Sequence, residues 1–222
     1  MVPRFSQFPL MPLSSVLLPN QATALHLFEA RYVGLLSECI AKNLPFGIAL
    51  IREGREVGDP DVEPYLVGTF ARFVARKTIS DRRIHAIALG EGRFRIRSLD
   101  RSEPLLKASV EPILESRWVA TERNQNLLDE ARAAFRSHLE TVFGGSDVGL
   151  RVARECDPMT LSFSIAGCLD VPAGKLQRLL EMTDTAERLE EMIPLMEMQT
   201  HAFAMTAQPT HLDLYAEYLS SN

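Results

Sequence analysis

Alternating apolar and polar residues through the first half of the chain, helical spacing through the second, and a change of charge between them predict an α+β protein. Residues 1–117 read as a β-rich unit with one helix, and 118–222 as a helical subdomain. The composition, 46% hydrophobic and 24% charged, is that of a folded globular chain rather than a disordered one. The net charge of −5 is unevenly spread: Lys and Arg outnumber Asp and Glu by 16 to 13 through Arg117 and are outnumbered 16 to 8 from Trp118 onward. That balance argues against a protein built throughout to neutralise phosphate. No run approaches the ~20 consecutive apolar residues of a membrane span. Cys39, Cys156 and Cys168 are odd in number and include no CxxC pair, which fits a reducing, cytoplasmic compartment better than a disulfide framework or a zinc ribbon.

The first element is a proline-studded extended segment, Phe8 to Leu13, of a kind tolerated at a sheet edge or a bulge. Arg4, the apolar run to Leu18 and Ala22-Thr23-Ala24 imitate a secretory leader. Pro3, Pro9, Pro12 and Pro19 would break its helix, so the segment reads as a first strand. A short strand follows from Thr23 to Phe28. Tyr32, Leu35, Leu36, Cys39 and Ile40 then place a helix over Glu29 to Lys42, with acid in its first turn, base in its last, and Asn43 and Pro45 beyond. Phe46 to Ile51 is a continuous apolar run, hence a buried strand. A loop from Glu53 to Pro64 precedes strands at Tyr65 to Ile79 and Ile84 to Leu89, joined by a hairpin turn at Ser80-Asp81-Arg82. Phe94 and Ile96 alternate with Arg93, Arg95 and Arg97, predicting one apolar and one basic strand face. Leu105 to Leu114 closes the region. Five or six strands around one helix suggest a small twisted sheet or a partly closed barrel.

In the second half, Leu128, Ala131, Phe135, Leu139 and Val142 form one stripe between Thr121 and Phe143, ended by Gly144-Gly145. Asp157-Pro158 is an N-cap followed by proline at the first helical position. Pro172 opens a helix carrying Leu176, Leu179 and Leu180. Asp184 with Glu187 resembles a capping box before Leu189, Met192, Ile193 and Met196; Pro194 should kink or end that helix. Thr210 and Asp213 mark a last short helix.

Little in the chain points to catalysis. There is no GxxxxGK[ST], GxGxxG or HExxH, and Ser146 is displaced from a GxSxG elbow. His26, His85, His138, His201 and His211 read as surface or core residues rather than ligands. Glu53, Glu56, Asp59, Asp61 and Glu63 lack the glycine and distal bidentate Glu of a calcium loop. Arg93, Arg95 and Arg97, with Arg76, Lys77, Arg82 and Arg83, offer a basic patch without the aromatic interleaving that base stacking uses, and read as a solvated strand face. Phe28-Glu29-Ala30-Arg31-Tyr32 packs two aromatics and an ion pair into a strand-to-helix corner.

The order of segments resembles the N-terminal, substrate-binding domain of the Lon protease family. The likeness runs from the proline-rich opening at Phe8 and Val16-Leu17-Leu18-Pro19 through Leu25 to Tyr32, Phe46 to Ile51, Val67-Gly68-Thr69-Phe70-Ala71, Gly90 to Ile96, Asp157 to Phe163, and Thr183 to Glu190. The resemblance implies a PUA-like pseudo-barrel followed by a helical bundle, here as a free-standing form without motor or protease. It further implies a non-catalytic polypeptide-binding module, substrate-recognising or adaptor-like, with no cofactor or metal. The partners it implies are unfolded or degron-bearing polypeptides, with no membrane and with nucleic acid disfavoured; the oligomeric state is left open. RNA or nucleotide-related binding through the barrel is the alternative reading, and an unrecognised hydrolase a third. Phe28, Glu29, Arg31 and Tyr32, where the likeness is densest, are the candidate partner-binding residues.

Overall fold

The computed structural model of the chain describes residues 4–80, 83–145 and 147–206. Seven strands run in order: β1 (Phe5–Leu13), β2 (Ala22–Leu27), β3 (Phe46–Glu53), β4 (Glu63–Pro64), β5 (Val67–Ser80), β6 (Arg83–Asp100) and β7 (Lys107–Ile113). Helix α1 (Ala30–Lys42) lies among them, and α2 (Glu122–Phe143), α3 (Asp147–Glu155), α4 (Pro158–Cys168), α5 (Ala173–Glu181) and α6 (Thr185–Thr206) follow.

The sheet closes on itself. The path β1-β7-β6-β5-β3 is antiparallel, and β1 returns to pair with β3 in parallel, Leu10 opposite Gly47 and Leu13 opposite Leu50. β1 is therefore paired on both sides, not an edge; its irregularity is a register shift between Phe5 and Phe8, where Gln7 takes φ 55°. The segments read as separate strands at 84–89 and 93–97 are one continuous β6. Its Arg83–Gly90 portion leaves the ring and pairs with β2 and with the far half of β5. Register shifts at Thr69/Ala71 and Phe73/Ala75 bend β5 so that it can serve both the ring and this extension. Leu10, Phe94, Ala108 and Val110 fill the ring, and Phe94 packs edgewise on Phe8 and tilted against Phe70. Gly47 and Gly68 make that possible: a Cβ at Gly68 would lie 2.5 Å from both the Ile48 carbonyl oxygen and the Phe94 ring. Tyr32, Leu35, Leu36 and Cys39 of α1 pack into a second core with Leu25, Leu27, Phe46 and Ile48.

The caps read at Asp157 and Asp184 form, and Thr121 caps α2 as well. Thr121 accepts from the Asn124 N–H, Asp157 from those of Met159 and Thr160, and Asp184 from those of Ala186 and Glu187. Two helical expectations change. α6 continues through Pro194 to Thr206 instead of ending there. α3 was not legible, because it includes Gly149 and, among its residues from Gly149 to Glu155, only Ala153 is buried. The turn at Asp81-Arg82, Ser146, His211 and the helix at Thr210 and Asp213 lie outside the described residues.

The chain forms two compact units. The first joins the residues up to Val119 with Asp157–Arg188, so α4 and α5 belong with the strands; the second comprises Ala120–Cys156 and the residues from Leu189 on. The sequence boundary at 117/118 follows the change of element type, whereas compactness groups α4 and α5 with the strands.

Candidate functional site

β2 ends at Leu27 and α1 begins at Ala30, so Phe28 and Glu29 form the corner between them. Glu29 holds extended backbone as the N-cap residue, with no side-chain cap bond. Its carboxylate instead receives Arg31, whose Nε and Nη2 lie 3.1 and 2.8 Å from Oε2. Arg31 also donates to the Pro104 carbonyl at 3.2 Å, and its guanidinium lies 4.6 Å from the Tyr32 ring centroid. Tyr32 is buried, and desolvation pushes its phenol up to about 12, so it stays protonated. Phe28 stands 50% exposed.

These four residues edge two concavities of the first unit. One, of about 340 Å³, is floored by Met11, Leu13, Leu25, Leu27 and Tyr32, with Phe28, Glu29 and Glu56 on its walls. The other, of about 380 Å³, takes Glu29 and Arg31 with Asp59, Arg101 and Pro104. An apolar floor with a few carboxylates at the margin suits apolar side chains and leaves room for a cation. Ser15, Thr23 and His26 also line the first of these concavities. Cys39 is raised to about 11 by burial, which keeps its thiol protonated and unreactive.

The carboxylates of the acidic loop hold several neighbouring groups. Asp59 accepts from the N–H groups of Arg55 and Asp61, Glu56 accepts from Ser14 N at 2.7 Å, and Glu63 pairs with Arg101. Among the described residues, no three His, Cys, Asp or Glu side chains are placed to hold a metal ion. His26 and His85 stack across β2 and β6, while His138 is buried against Thr200.

The basic stripe divides. Arg76, Lys77 and Arg83 are exposed, as a solvated face has them, whereas Arg97 is paired with Glu111 and Arg93 is only 4% exposed. Arg93 donates to the Leu180 and Met182 carbonyls and to Glu115; Arg188, fully buried, binds the other oxygen of Glu115 as well as Ser162 and Met182. Burial lowers the pKa of both arginines, opposed by the Glu115 charge. Phe163 lies against both guanidiniums. This cluster went unread in the sequence. The signal was there in Arg188, which stands four residues before Met192 on the apolar stripe of its helix.

The chain matches the family described as the ATP-dependent protease La (LON) substrate-binding domain over residues 7–198. It is 24% identical over 189 residues to Lon protease 2 of Bdellovibrio bacteriovorus, covering 82% of this chain and 23% of that protein. It is 25% identical over 194 residues to Lon protease of Anaeromyxobacter dehalogenans, covering 85% and 22%. The chain thus spans less than a quarter of the length of these relatives. Its fold is similar to that of the Lon N-terminal domain protein from Xanthomonas campestris, with a TM-score of 0.64 and 24% identity over 84% of this chain and 96% of that one. It is similar also to the N-terminal domain of Mycobacterium avium complex Lon protease, at 0.65 and 19% over 85% and 97%. Among the described residues, no helix is long and apolar enough to cross a membrane.

Proposed function

Since the chain belongs to the Lon substrate-binding domain family, we propose that it is a non-catalytic polypeptide-binding module, substrate-recognising or adaptor-like. Its ligands on this reading are unfolded or degron-bearing polypeptides, met in the cytoplasm. The observation that carries the reading is the apolar-floored groove beside the Phe28 corner, where an exposed aromatic ring stands next to buried Leu25, Leu27 and Tyr32. An unfolded chain supplies what that surface lacks, apolar side chains without a folded shell around them. Phe28 and Tyr32 provide the apolar contact in this reading, and Glu29 and Arg31 fix the corner. On the same reading the closed ring is a PUA-like barrel and the helices of the second unit a bundle. Burial of Arg93 and the pairing of Arg97 with Glu111 take two cations from the basic patch that the RNA alternative would use.

Titration of fluorescently labelled casein, an unfolded polypeptide, tests the proposal. Saturable binding is expected, weakened about tenfold by Phe28→Ala and changing little between low and high salt. Absence of binding would sink the proposal, and retention of single-stranded RNA that falls steeply with salt would favour the nucleic-acid class instead.

A further inference from the structure

A strand inside a sheet spends its backbone N–H and C=O groups on two neighbours; a strand with one neighbour leaves alternate residues' groups facing outward. Among the described residues β2 pairs with β6 alone, Ala22 opposite Leu89 through Leu27 opposite Ile84. The strand, Ala22-Thr23-Ala24-Leu25-His26-Leu27, carries no proline, lysine or bulge of the kinds that blunt an exposed edge. Five consecutive residues of it, Thr23 to Leu27, line the same 340 Å³ groove, so the groove runs along the strand. Ser15, Glu56 and Val57 line it too. Glu29 and Glu56 are the charged residues of the lining, and no Lys or Arg is among them. This acidity stands within a half of the chain where Lys and Arg are in excess.

We propose that the groove takes an extended polypeptide segment as an added strand on the free edge of β2, and that Glu56 selects segments carrying Lys or Arg between alternating apolar residues. The proposal rests on the polypeptide-binding reading and deepens it with a mode and a charge preference. Main-chain pairing supplies affinity independent of sequence, and the alternate side chains of the guest enter the apolar floor. A cation on the guest complements the Glu56 wall.

The probe is an acetylated nine-residue peptide with valine at alternate positions and lysine between, titrated into the full chain by fluorescence anisotropy. Two derivatives are methylated on the backbone nitrogens, one on the odd residues and one on the even. An added strand turns one set of amides toward β2 and the other away. One derivative is therefore expected to lose about tenfold or more, while the other stays within about threefold. A glutamate-for-lysine peptide should bind about tenfold more weakly, and Glu56→Gln, which keeps an oxygen for Ser14 N, should erase that difference. Equal behaviour of the two methylated peptides overturns strand addition, and a lysine preference that survives Glu56→Gln overturns the charge assignment. Labelled casein is titrated in parallel. If casein binds but the lysine peptide does not, this inference fails and the polypeptide-binding reading stands; if casein does not bind, both fail.

Discussion

Glu115 holds two guanidiniums at once, one oxygen to Arg93 and the other to Arg188, while Thr185 donates to it at 2.8 Å. Two buried cations share one carboxylate here, so its removal leaves charge without a partner. Glu115→Gln is expected to cost about 3–5 kcal/mol, read from urea unfolding at neutral pH. Lysine does not replace either arginine well, because each spans several acceptors that a single ammonium does not reach together. Arg93 shows why residue-level reading from sequence is partial. Its alternation with Phe94 correctly places it on the opposite strand face, but alternation is silent about whether that face meets water or the carbonyls at the end of α5. The corner residues divide similarly: the ion pair of Glu29 and Arg31 is two residues long and legible, whereas the groove beside it needs Met11, Leu13 and Glu56 from elsewhere in the chain.

At the scale of elements, caps and stripes carried the reading, since their energies depend on residues within a turn of one another. Asp157→Ala should destabilise by about 1 kcal/mol, and Asp157→Asn by much less, because asparagine caps as well. Burial raises the Asp157 pKa, but bonds from Thr160 and Met159 outweigh it and hold the native value below the ordinary one. The carboxylate's contribution is therefore complete above the unfolded pKa of about 3.9 and is lost as pH falls through the lower native value. Thermal melts from pH 6 to pH 2 should show a shallower decline for Asp157→Asn than for the wild type. Gly68→Ala should cost about 1–3 kcal/mol through its clash with Phe94 and the Ile48 carbonyl, measured as a shift in the urea midpoint. Pro194 forgoes one helical hydrogen bond on an exposed face of α6, yet the helix continues. Local propensity there is outweighed by the burial of Leu189, Met192, Ile193 and Met196.

At the scale of the whole molecule, the first compact unit is discontinuous, and a cut that follows the change of element type would sever it. Residues 1–117 alone would lack α4, α5, Arg188 and Phe163, leaving Arg93 without its acceptors beyond Glu115. This fragment should lack a cooperative unfolding transition by circular dichroism, while residues 1–188 should retain one for the first unit. The sequence by itself determined most element types, the caps at Asp157 and Asp184 and the likeness that places the chain in its family, because each rests on neighbours in sequence or on an ordered series of short motifs. Only the tertiary structure decided the parallel return of β1 to β3, the burial of Arg93, the grouping of α4 and α5 with the strands and, among the described residues, the single neighbour of β2. Those depend on which distant segments meet, a matter of loop-closure entropy against packing that no local pattern encodes.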